Sequence, residues 1–126
     1  LKRRLGSLAG RKIAVLGLAF KSNTDDERDS LSHKLIRMLE RELADVAIHD
    51  PHVPTPTSSL GEAVLDADAV VVATNHAEFC TGDALRQIAS GARREALIVD
   101  PWNCWGAAQV FAHADEVVAL ADVGAR

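Results

Sequence analysis

The sequence predicts a single α/β domain built on a doubly wound parallel sheet, and three observations carry that prediction. Near-continuous apolar runs, above all Lys12-Ile13-Ala14-Val15-Leu16-Gly17-Leu18 and Ala69-Val70-Val71-Val72-Ala73-Thr74, read as strands buried on both faces. Segments with helical apolar spacing lie between such runs. The 126 residues fit about one domain and suffice for a core without a disulfide or metal staple.

The elements follow in order. Leu1, Leu5 and Leu8 fall at helical spacing and read as the tail of a longer helix or linker over residues 1–10, ended by Ala9-Gly10, with the domain proper over 11–126. The chain begins without Met, which points to a piece of something longer. After the first strand comes a polar loop, residues 21–29. Asp29 or Ser30 can cap the next helix, whose face is marked by Leu31, Leu35, Met38, Leu39 and Leu43. Val46-Ala47-Ile48-His49 reads as a second strand stopped by Asp50-Pro51, and Pro51, Pro54 and Pro56 force a loop over 51–59. A short helix over 60–65, the third strand over 69–74 and a helix over 84–90 ended by Gly91 follow. Ala96-Leu97-Ile98-Val99-Asp100 is the fourth strand, 107–112 a helix and 116–120 a fifth strand. Alternating strands and helices with right-handed crossovers give a Rossmann-like five-stranded order, expected as 3-2-1-4-5. Ligands of such sheets sit at the carboxyl ends of the strands, here residues 17–21, 49–51, 74–76, 100–103 and 121–122.

Composition excludes several classes. The net charge of −4 argues against a nucleic-acid or anionic-membrane surface, and 4% aromatics leave no base-stacking platform. No apolar run reaches the roughly 20 residues that span a bilayer. Cys80 and Cys104 make neither a disulfide framework nor a metal signature, so a reducing, cytoplasmic setting is the default.

Candidate site residues each have a plainer alternative. Gly17 opens a turn with Ala19 and Ser22 where a dinucleotide fingerprint has glycines, and the following loop is long. This is not a self-sufficient NAD site. Asp50 stands where a ribose-binding acid would, and equally reads as an ordinary Asp-Pro turn. Lys21 is a cation at the mouth of the sheet, or a solvated lysine. Arg28 among Asp25, Asp26, Glu27 and Asp29 suggests a salt-bridged or anion-facing guanidinium, while the acids suit a helix N-terminus and lack calcium-loop spacing. His49, His52 and His76 lie at strand ends without a partner pattern and read as polar surface residues. Each cysteine reads as a small buried hydrophobe rather than a nucleophile. Trp102 and Trp105 form an apolar lid, a face for a partner domain or a core closure.

A family resemblance rests on these motifs. Residues 17–30 are similar to the G-L-A-F-K-x-x-T-D-D-x-R-x-S segment of nucleotide-sugar 6-dehydrogenases. His49-Asp50-Pro51 resembles their Y-D-P, residues 71–79 their V-x-x-T-x-H-x-E-F, and Ile98-Val99-Asp100 their V-x-D strand. The chain thus resembles the C-terminal, UDP-binding domain of the UDP-glucose/GDP-mannose dehydrogenase family, in order and over almost its whole length. The resemblance implies an NAD-dependent oxidation of a sugar CH2OH to a carboxylate. The catalytic cysteine and most of the NAD site belong to an N-terminal domain upstream of this segment, and the homodimer is built on a central helix. It implies substrate contacts from Phe20 and Lys21 to a UDP-sugar or GDP-mannose, and a cofactor contact from Arg28 to NAD, with no catalytic residue and no metal ligand in this chain. The chain departs where UDP-glucose enzymes read D-G-R: Asp100-Pro101-Trp102 puts a tryptophan in place of the substrate-touching arginine, so the sugar is not named.

Two other readings stand beside it. One is a standalone nucleotide-binding or assembly module without chemistry. The other is a phosphoacceptor receiver domain, which needs an acid at the end of strand three and a lysine after strand five; Thr74-Asn75 and Ala121-Asp122 stand there instead.

Overall fold

The computed structural model describes residues 6–19, 23, 31–53, 57–102, 104–105 and 111–113, with Phe111 and Ala112 as backbone alone. The expected helix tail at Leu1 and Leu5, the loop residues 20–22 and 24–30, and the strand over 116–120 lie outside them.

The elements are β1 (Lys12–Leu16), α1 (Leu31–Arg41), β2 (Asp45–His49), α2 (Leu60–Val64), β3 (Ala69–Val72), α3 (Gly82–Gly91), β4 (Leu97–Val99) and β5 (Phe111–His113). They form one sheet in the order β2-β1-β3-β4-β5. β1 pairs in parallel with β2 (Ala14 opposite Ala47) and with β3 (Ala14 opposite Val70), and β3 pairs in parallel with β4. The expected order 3-2-1-4-5 is therefore corrected: β3 is central, β1 lies between it and β2, and β2 is the edge. Burial gives the reason. β3 is buried at every position, as an inner strand must be, whereas β2 is only half-buried and starts on an exposed Asp45.

The helix expected over 107–112 is corrected at its end. Residues 111–113 lie antiparallel to β4, Val99 opposite Phe111, so Phe111 and Ala112 are strand rather than helix. Paired this way, β5 covers the edge of β4 that β3 leaves free.

Alternation along the strands splits the core in two. Ala14, Leu16, Val70, Val72 and Ile98 face α2 and α3 through Ala63, Val64, Leu85 and Ile88. Ile13, Val15, Val71, Leu97 and Val99 face Ile36 and Leu39 of α1. Helices thus cover both faces, as a doubly wound sheet requires. The buried face of α1 is Ser32, Ile36 and Leu39, rotated from the expected stripe; Leu31 and Met38 are exposed, and Leu43 follows the helix with a left-handed φ of 64°.

The remaining helices have clear local causes. Ser59 and Thr81 cap α2 and α3 by accepting from the N–H groups of Glu62 and Ala84. At the amino edge of the sheet, the Asp68 carboxylate accepts from Lys12 N–H, and the Lys12 ammonium donates to the Leu65 carbonyl at the end of α2.

Candidate functional site

The order β2-β1-β3 puts a topological switch point between β1 and β3: α1 leads away over one face and α2 returns over the other. Ligands of open α/β sheets bind in the crevice at the carboxyl ends of the strands flanking such a point. Gly17, Leu18 and Ala19 leave β1 there, and Ala73, Thr74 and His76 leave β3.

The turn after β1 is built on close approach. Gly17 has φ 104°, and a Cβ there would stand 2.5 Å from Thr74 Cβ and 2.8 Å from Thr74 N, so only glycine fits. Gly17 N–H donates to the His49 carbonyl at 2.8 Å, and the buried Thr74 hydroxyl donates to the Ala19 carbonyl at 2.9 Å.

Asp50, at the end of β2, organises what lies between. Its Oδ2 accepts from Leu18 N–H at 2.7 Å, Ala19 N–H at 3.1 Å and His76 Nε2–H at 2.9 Å. Its Oδ1 accepts from His52 N–H at 2.8 Å and Val53 N–H at 3.4 Å. Burial pushes this carboxyl up and is the largest single influence. The N–H groups of His52 and Leu18, the His76 ring and the Ala19 N–H together outweigh it and hold the pKa below the ordinary aspartate value.

His76 carries the connection onward. Its Nδ1 accepts from Asn23 N–H at 2.8 Å, which assigns the proton to Nε2 and makes the imidazole a neutral donor to Asp50. The ring is fully buried, 4.4 Å from the His52 ring and edge-on to Phe79 at 5.5 Å. Asn23 has a left-handed φ of 58°, which Asn tolerates, and its Oδ1 accepts from Ala77 N–H at 2.9 Å. Nearby, His52 Nε2 lies 2.6 Å from Glu78 Oε2. Burial raises the Glu78 carboxyl, and His52 leads the contacts that bring it net below its ordinary value.

Several sequence expectations change accordingly. His76 is a buried connector rather than a surface residue, and it joins His52 and Asp50 in one cluster. Asp50 makes the expected Asx-type turn to His52 and also ties β2 to the β1 turn. Cys80 and Cys104, expected as separate small hydrophobes, are joined as a disulfide with Cα atoms 4.6 Å apart, which clips the loop after β3 to the one after β4. The two tryptophans divide the roles left open for them. Trp105 packs against the core and donates Nε1–H to the Phe79 carbonyl at 2.8 Å; Trp102 is 52% exposed on the rim, donating to the Ala73 carbonyl at 3.3 Å. Phe20, Lys21 and Arg28 lie outside the described residues.

The described residues do not fit a dinucleotide at this turn. The Leu18 and Ala19 N–H groups, which would face a pyrophosphate, are occupied by Asp50, and the Asp50 carboxylate is sealed from any ribose. The Asp50–His76 pair is likewise turned inward, with both imidazole nitrogens engaged, so it holds structure and offers no proton to a ligand. Among the described residues no group of three or more His, Cys, Asp or Glu side chains could hold a metal, and no helix is long and apolar enough to cross a membrane.

An open sheet whose carboxyl edge is a rigidly tied switch point defines the class: a Rossmann-like ligand-binding domain. Residues 14–107 match the UDP binding domain of the UDP-glucose/GDP-mannose dehydrogenase family, and the chain belongs to that family. It is 45% identical over 67 residues to a UDP-N-acetyl-D-mannosamine dehydrogenase of Pyrococcus horikoshii, covering 53% of this chain and 16% of that protein. It is 35% identical over 118 residues to a UDP-glucose 6-dehydrogenase of Rhizobium meliloti, covering 86% of this chain and 26% of that protein. The solved NDP-N-acetyl-D-galactosaminuronic acid dehydrogenase of Methanosarcina mazei superposes with a TM-score of 0.68 at 32% identity, covering 82% of this chain and 23% of that one. The chain thus spans about a quarter or less of the relatives it matches.

Proposed function

We propose that this chain is the nucleotide-sugar-binding domain of an NAD-dependent nucleotide-sugar 6-dehydrogenase, and that it does no chemistry alone. The carrying observation is that a match to a UDP binding domain coincides with a switch point whose β1 turn is fixed from three sides, by Gly17, Asp50 and Thr74. That turn leads directly into Phe20 and Lys21, which take the substrate contacts, the ammonium pairing with the diphosphate. Arg28 reaches the pyrophosphate of NAD through parallel hydrogen bonds. NAD itself is held mainly by an N-terminal partner domain, because the turn after β1 does not fit it. Residues 1–10 act as the link to that domain and 11–126 as the binding domain. The assembly is a homodimer.

Calorimetry of the 126-residue chain with UDP and GDP tests this reading. UDP binds weakly, because half of the pocket lies in the partner domain, and Lys21→Ala abolishes the heat. Equal binding of UDP by the Lys21→Ala chain removes Lys21 from the site, and no binding of either nucleotide leaves an assembly module as the better description.

A further inference from the structure

We propose that the Cys80–Cys104 disulfide is a reversible redox clasp on the rim of the crevice. Oxidised, it holds the turn that carries Trp102 and Cys104 against the end of β3; reduced, it lets that turn go. Only the consequence for binding rests on the nucleotide-sugar reading above.

The two sides of the bridge are held unequally. On one side, Phe79 is buried, Cys80 N–H donates to the Ala77 carbonyl at 3.1 Å, and Thr81 caps α3 immediately afterwards. Cys80 is therefore fixed by its neighbours. On the other side, β4 ends at Val99 and Trp105 packs against the core, so the turn is anchored at its two ends. Between them, Cys104 N–H donates to Asp100 Oδ1 at 3.1 Å, and the half-exposed Trp102 indole donates to the Ala73 carbonyl at 3.3 Å. So long a bond, at an indole open to solvent, competes with water and holds little.

Asp100 favours release. Its side chain is buried, yet Oδ2 has no hydrogen-bond partner among the described residues. A buried oxygen without a donor is costly, and a turn that opens gives it water. The bridge keeps the turn closed against that cost. A local element with two arrangements, biased by a covalent link, is what a redox switch needs.

Both cysteines are half-buried, within reach of a small dithiol. A thiolate of the dithiol attacks one Sγ of the bridge to form a mixed disulfide, and its second thiolate then displaces the protein sulfur. Two electrons and two protons pass to Cys80 and Cys104, and the dithiol leaves as a cyclic disulfide. The chain has 2 cysteines, so no other pairing within it competes.

Indole N–H resonances of the isotope-labelled chain in reduced and in oxidised dithiothreitol test the clasp, with intact mass confirming the redox state. On reduction the Trp102 indole N–H should shift and exchange with water about fivefold faster, as expected for the loss of one weak hydrogen bond. The Trp105 indole and the amides of β1 and β3 should stay in place, and re-oxidation should restore the first spectrum. The chain carrying both Cys80→Ser and Cys104→Ser should show the released pattern in either buffer. UDP affinity, by calorimetry, should fall about fivefold on reduction, because a rim side chain fixed beforehand costs less to order. An unmoved Trp102 resonance in chain shown by mass to be reduced overturns the proposal. So does collapse of the whole spectrum, which would make the bridge a staple of the fold. Equal UDP affinity in the two states overturns the role in binding. If UDP binds in neither state while Trp102 responds as described, the nucleotide-sugar reading fails and the clasp stands.

Discussion

The Asp50 carboxylate and the His76 imidazole meet at 2.9 Å with both side chains fully buried, joining the end of β2 to the segment that follows β3. The contact crosses over β1, because β1 lies between those two strands in the sheet. One carboxylate oxygen thereby gathers donors from two segments of chain, the one after β1 and the one after β3.

Replacing Asp50 by Asn should cost about 3 kcal/mol, the range for removing one partner of a buried charged network. An Asn amide has one accepting oxygen, so whichever way it turns, its NH2 group faces either the Leu18, Ala19 and His76 donors or those of His52 and Val53. The pH dependence gives a second mark. The folded pKa of Asp50 is depressed, so its contribution is complete above the unfolded value of about 3.9 and fades as pH falls through the lower folded value. Urea melts between neutral pH and about pH 2 should show a steeper acid loss in the parent than in Asp50→Asn.

Gly17→Ala should destabilise by about 3 kcal/mol or more, since strained φ and overpacking add. Gly10 is the control: its φ is 75° but a Cβ there meets nothing within 4 Å, so Gly10→Ala should cost only the strain, about 1 kcal/mol. Chemical denaturation of both variants checks the difference. Equal losses would mean that Thr74 yields to the extra methyl.

Sequence reasoning reached the layering and the switch-point edge but not the strand order. The order was partly visible. β3 has four apolar residues in a row, while β2 carries Asp45 and His49 at its ends, so β2 was the better edge strand. The Asp50–His76–Asn23 chain was not visible, because its members are 26 and 53 residues apart and each has an ordinary local explanation. Polar residues ending two apolar strands, His49-Asp50 and Thr74-Asn75-His76, were the available signal. The cysteine pairing depends on how the loops after β3 and β4 approach each other, which no spacing rule fixes for a single pair.

Reducing the Cys80–Cys104 disulfide should add about 2 Da in intact-mass analysis. With 24 residues of separation it should also lower stability by about 3 kcal/mol in the chain-entropy account. Cys80→Ser should melt like the reduced chain and ignore reductant. Melting of the parent that is indifferent to reductant would show that the loops are held by packing instead.

The tryptophans should separate by role. Trp105→Ala should cost about 3 kcal/mol, because Trp105 packs on the core and satisfies the Phe79 carbonyl. Trp102→Ala should stay within about 1 kcal/mol, its indole being half-exposed. Thermal melts of both variants decide this.

Amide chemical shifts of the isotope-labelled chain during titration with UDP test the central claim most directly. Perturbations should cluster at residues 17–23 and 73–77, around the crevice where β1 and β3 end. Shifts confined to the opposite rim, near Asp68 and Arg93, or no shifts at millimolar nucleotide, would contradict the assignment of that crevice.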